Sequence, residues 1–122
     1  MAESPFARLD RAINNHFRAY LGPLAPLMAF PVRAVGARMA GSDIAAVAPI
    51  DVVRRISPRP LLLIQDGDDR LCPPAETLLL YNAAGAPKQR WIVPGSGHVG
   101  AQAMASAEYE RRVTQFFDEA LR

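Results

Sequence analysis

Three carboxylates, one thiol and one histidine crowd into the second half of the chain. Asp66, Asp68 and Asp69 lie in an acidic turn, Cys72 just beyond it, and His98 in the loop Pro94-Gly95-Ser96-Gly97-His98-Val99-Gly100. Such groups can do acid–base work. A carboxylate that accepts a hydrogen bond from one ring nitrogen fixes a histidine's tautomer and stabilises its imidazolium, which leaves the other nitrogen free to take a proton from a nucleophile. Each residue also has an ordinary reading: aspartates are common in solvated turns, histidines occur in any loop, and a free cysteine often acts as a small buried hydrophobe. Neither Ser42 nor Ser96 stands in a G-x-S-x-G elbow between strand and helix. His16, beside Phe17, reads as a surface histidine.

The elements that must position these groups alternate. Leu61-Leu62-Leu63-Ile64-Gln65 is a continuous apolar run, the pattern of a strand covered on both faces. A helix from about Ala75 to Ala84 follows the acidic turn, with Glu76 in its first turn and Gly85 at its end. Gln89 to Val93 is the second strand, the glycine-rich loop comes next, and a last helix sets Tyr109, Val113, Phe116, Phe117, Ala120 and Leu121 on one face. Strand, helix, strand, helix predicts an α/β fold with a parallel pair and a right-handed crossover. Two strands cannot cover the 61–65 run by themselves. The chain is therefore expected to expose apolar surface there and to self-associate through the sheet edge.

Residues 1–57 read as a helical, cap-like segment and 58–122 as the α/β portion. Ser4 is the expected N-cap of a first helix with Pro5 at its first position, and Phe6, Leu9, Ile13, Phe17 and Tyr20 form its stripe. Arg8, Arg11 and Arg18 lie mostly off that stripe and read as a solvated face. Pro26 breaks the next apolar stretch, Pro31 opens a second helix, and Gly41 stops it.

At 122 residues and 13.3 kDa the chain has room for one core. A net charge of +2 with scattered arginines leaves no nucleic-acid footprint. The single cysteine excludes an internal disulfide and any multi-cysteine metal site, and makes a reducing, cytoplasmic setting the expectation. The N-terminus lacks the pattern of a secretory signal. The uncharged run Ala19 to Val32 has 14 residues and three prolines, against the about 20 apolar residues of a membrane span. No cofactor or metal is expected.

Gly41-Ser42-Asp43, Ala48-Pro49-Ile50-Asp51, Arg59-Pro60-Leu61-Leu62-Leu63-Ile64, Asp66-Gly67-Asp68-Asp69-Arg70-Leu71-Cys72-Pro73-Pro74 and Val93-Pro94-Gly95-Ser96-Gly97-His98-Val99-Gly100 together carry a resemblance. They resemble the C-terminal part of the α/β-hydrolase fold, in the pattern of the dienelactone-hydrolase and prolyl-oligopeptidase-like serine hydrolases. The resemblance covers about residues 41–122, with 1–40 matching only as a generic cap.

It implies that Asp69 is the triad acid and His98 the base, at the carboxyl ends of adjacent strands. Asp66 stands where the family has glycine, so Asp68 remains an alternative acid. The implied activity is hydrolysis of an ester, lactone or amide. The nucleophilic serine and oxyanion hole are expected on an N-terminal hydrolase portion outside this chain, which would be inactive alone. The competing expectation is a non-catalytic binding or structural module derived from the same half-fold.

Overall fold

A strand with apolar side chains at consecutive positions must be covered on both faces, and this one is. The computed structural model describes all residues from Met1 to Arg122. Strand β1 (Ala2–Glu3) opens the chain, followed by helices α1 (Leu9–Leu21), α2 (Ala25–Ala40) and α3 (Pro49–Val52), and a 3-10 turn at Val53–Ile56. Strand β2 (Leu61–Asp66), helix α4 (Pro74–Ala83), strand β3 (Lys88–Val93) and helices α5 (Ala101–Met104) and α6 (Ser106–Ala120) complete it. The sheet is parallel throughout, in the order β1-β2-β3. Ala2 and Glu3 lie beside Leu63 and Ile64, and Leu61 to Asp66 beside Lys88 to Val93.

The two-residue alternation of β2 divides the core between the faces of the sheet. Leu61 and Leu63 pack with Ala7, Val53, Leu80 and Ala84 on one face, and Leu62 and Ile64 with Val93, Ala101 and Phe116 on the other. All six β2 residues are buried. The apolar surface expected at 61–65 is therefore not there, because β1, β3 and helices on both faces cover it.

Exposed apolar surface lies instead on the α1–α2 hairpin, where Leu24, Leu27, Phe30, Val35 and Met39 all face solvent. The total accessible surface is 7644 Å², against about 6,500 Å² for a typical folded monomer of this mass. The excess reflects a small core carrying a peripheral hairpin.

Two local expectations are corrected. Ser4 caps no helix: Ala2 and Glu3 are extended, Ser4 has φ +43°, and α1 begins only at Leu9. Long-range bonds outweigh the cap, since Ser4 N donates to Ile64 O at 2.9 Å and the Glu3 carboxylate accepts from Ala101 N and Tyr109 Oη. Secondly, α2 runs unbroken through Pro31. Pro26 sits in the first turn, where no amide donor is needed, and the hydrogen bond that Pro31 cannot donate is given up while α1 packs alongside.

Of the arginines expected to be merely solvated, Arg8 pairs with Asp51 at 2.9 Å and Arg11 with the buried Glu76 at 3.0 Å. Glu76 also accepts from Ala7 N at 3.0 Å, which ties the segment leading into α1 to α4. In α6, Tyr109, Val113, Phe116 and Ala120 face the sheet, whereas Phe117 and Leu121 of the expected stripe point outward. No helix is long and apolar enough to cross a membrane.

Candidate active site

Parallel strands deliver their following loops to one end of the sheet, so the turn after β2 and the loop after β3 must meet. Gly67 lets them approach closely. Its amide donates to Val93 O at 2.9 Å, and a Cβ there would lie 2.9 Å from the same oxygen and 3.1 Å from Pro94 Cα. In the facing loop Gly95 adopts φ +76°, a left-handed conformation that side chains disfavour.

This turn separates the two candidate acids. Asp68 N donates to Ser96 O and its side chain faces solvent, whereas Asp69 is buried. Asp69 Oδ1 accepts from Leu71 N at 2.8 Å and Cys72 N at 2.9 Å, and Oδ2 lies 2.9 Å from His98 Nδ1. The His98 ring is 41% exposed. Its far edge can therefore meet a second reactant while its near edge is held.

Burial acts to raise the Asp69 pKa, but the Cys72 amide, the His98 ring and the Leu71 amide together hold it below the usual carboxylate value. The folded form is thus the weaker proton binder. Its contribution to stability is complete above the unfolded value of about 3.9 and disappears as pH falls through the lower folded value. Urea midpoints measured through this acid range should fall more steeply for the unaltered chain than for Asp69→Asn. Equal slopes would contradict the assignment of the shift.

Asp66 has a role that sequence reasoning missed. It is fully buried at the end of β2 and accepts from Ser4 Oγ at 2.7 Å, Val99 N at 3.1 Å and Gly100 N at 3.1 Å. Ser4 (φ +43°) and Val99 (φ +54°) are the only non-glycine residues with positive φ, a conformation that is costly for a β-branched side chain such as valine. Both are tied to the same carboxylate. The signal was a carboxylate at a buried position closing an apolar strand, where charge must find partners.

Neither nearby serine hydroxyl is turned to His98. Ser96 Oγ donates to Val93 O and Ser4 Oγ to Asp66. Ser4 does lie at a strand end, in a strained conformation and ahead of the acid and the histidine in sequence. The next residue, however, is Pro5, which has no amide hydrogen to donate into an oxyanion hole. Cys72 is buried, and burial together with the charges of Asp69 and Glu76 pushes its thiol up to about 11, so it carries almost no thiolate at neutral pH. His16 is exposed on α1 against Phe17 and Tyr20.

Beside His98 lies an open cleft of about 290 Å³, lined by Ala19, Tyr20, Asp68, Arg70, Leu71 and His98. The end of α1 thus overhangs the histidine. A larger concavity, about 590 Å³, lies on the polar outer face of α6, away from these groups.

Solved structures define the class of the fold alone: the chain has an α/β-hydrolase-type fold, in part. A protein named as a non-heme bromoperoxidase, BpoC of Mycobacterium tuberculosis H37Rv, aligns over 97% of this chain and 56% of its own, at 19% identity and TM-score 0.58. The CarC enzyme, a serine hydrolase involved in carbazole degradation, aligns over 85% of this chain and 37% of its own, at 18% identity and TM-score 0.53. Protein PA2218 of Pseudomonas aeruginosa aligns over 97% and 52% respectively, at 16% identity and TM-score 0.57. This chain therefore spans about half, or less, of the solved structures it matches. No family model and no curated protein matches the sequence.

Proposed function

We propose that the chain is the acid- and base-bearing C-terminal portion of a serine hydrolase acting on an ester, lactone or amide. In this reading Asp69 is the acid and His98 the base. The observation that carries it is the Asp69 Oδ2–His98 Nδ1 pair at 2.9 Å, at the carboxyl ends of neighbouring parallel strands, with the other carboxylate oxygen already engaged by two amides. Residues 1–57 then serve mainly as a cap, with Tyr20 at the mouth of the cleft. The acidic-turn and histidine-loop motifs favour a dienelactone-hydrolase or prolyl-oligopeptidase-like type.

The nucleophile and oxyanion hole come from an N-terminal hydrolase portion, and the reaction needs no cofactor. A cytoplasmic setting fits the single reduced cysteine. The chain alone should hydrolyse p-nitrophenyl acetate no faster than free imidazole, and turnover should appear once a strand–G-x-S-x-G–helix segment is supplied, fused or separate. Enzyme-like turnover by the chain alone, lost in His98→Ala, would refute the reading. The excess accessible surface supports a second reading, a non-catalytic module that binds a partner. Under that reading the supplied segment would bind without conferring turnover.

A further inference from the structure

We propose that Asp69, Cys72 and His98 form a binding site for a borderline-soft divalent cation of the zinc class. Each offers a ligand atom, and the three atoms lie within 4.8 Å of one another. One nitrogen, one sulfur and one oxygen donor is a set that zinc accepts, with bonds of about 2.0 to 2.3 Å. Tetrahedral bonds of that length place ligand atoms about 3.3 to 3.8 Å apart. The Asp69–His98 separation of 2.9 Å must therefore open slightly, while no separation exceeds 4.8 Å. The exposed histidine, on its glycine-flanked loop, is the partner that moves.

The other two ligands are pre-arranged. The turn that presents Asp69 also presents Cys72, locked by the hydrogen bond from Cys72 N to Asp69 Oδ1 at 2.9 Å. Glu76 places further negative charge near the thiol. The carboxylates that disfavour a bare thiolate favour a cation, and the cation in turn favours the thiolate. Arg11 is already paired with Glu76, and Arg70 is exposed.

Binding balances simply. The Cys72 thiol loses its proton to solvent and the sulfur forms the metal bond. Neutral His98 exchanges its Nδ1 proton for one on Nε2 through solvent, and Nδ1 forms another metal bond. One proton is released per ion, and a fourth coordination position is left for solvent. With Nε2 protonated, His98 has no lone pair for a nucleophile's proton, so the ion inhibits. That consequence rests on the hydrolase reading. The site itself does not.

Cobalt(II), added to the full reduced chain without oxygen, is the probe. One equivalent should produce an intense near-ultraviolet thiolate-to-cobalt band together with visible bands of a four-coordinate ion, and zinc should erase both. Cys72→Ala should lose the thiolate band. His98→Gln should weaken cobalt binding by at least the roughly 10- to 100-fold that loss of an outer-shell partner costs, and Asp68→Asn should change neither. A cobalt complex lacking the thiolate band, or binding unchanged in both ligand variants, overturns the site. In the unaltered chain zinc should also release one proton per ion bound at neutral pH, and saturating zinc without proton release would overturn the site even if the variants fail to fold. None of these readouts depends on turnover.

Discussion

Asp69→Asn, in the chain completed with a nucleophile-bearing segment, is expected to lower ester turnover by about 10⁴-fold, the cost of the same change in the serine-protease template. The geometry gives the reason. The Leu71 and Cys72 amides donate to Oδ1, so an asparagine keeps its carbonyl oxygen on that side and turns its amino group towards His98. The ring must then accept at Nδ1 and hold its proton on Nε2, the nitrogen that has to receive the nucleophile's proton. Asp68→Asn, on an exposed side chain, should leave turnover within about twofold. The test is kcat for p-nitrophenyl acetate, with the tautomer read by nitrogen NMR of the ring. Loss of turnover in Asp68→Asn with Asp69→Asn intact would shift the acid by one residue.

Asp66→Ala should have the largest effect on stability. It leaves the Ser4 hydroxyl and the Val99 and Gly100 amides without their acceptor, at about 1 to 3 kcal/mol for each donor that stays buried. Water can reach the loop beside the exposed Val99 side chain, so a total of about 3 to 5 kcal/mol is expected. Domains are stable by only about 5 to 15 kcal/mol, and this core is small. Ser4→Ala removes a donor instead of an acceptor and should cost about 1 kcal/mol, because Asp66 keeps both loop amides. Denaturant midpoints and slopes measure both. A loss below about 1 kcal/mol in Asp66→Ala would mean that the strained Ser4 and Val99 hold their conformations without it.

The chain's second half was legible because its signals are local. Four consecutive apolar residues from Leu61, bounded by turn residues and too few for a helix, read as a strand covered on both faces, and Tyr109, Val113, Phe116 and Ala120 fall on one face of a helix. That made the α/β order and the meeting of the two loops readable without coordinates. The resemblance then singled out Asp69 and His98.

Tertiary structure decided what local pattern could not. A two-residue strand carries no periodicity, so Ala2–Glu3 became β1 only through β2 beside it, and the Ser4-Pro5 helix start lost to bonds reaching Ile64, Ala101 and Tyr109. Asp66 looked like one more turn aspartate until the fold brought Ser4 and the His98 loop against it from 62 and 33–34 residues away. Asp68 and Asp69 are chemically identical neighbours. The close approach at Gly67, which no pairwise spacing encodes, accompanies a turn that sends one carboxylate to solvent and the other to the histidine.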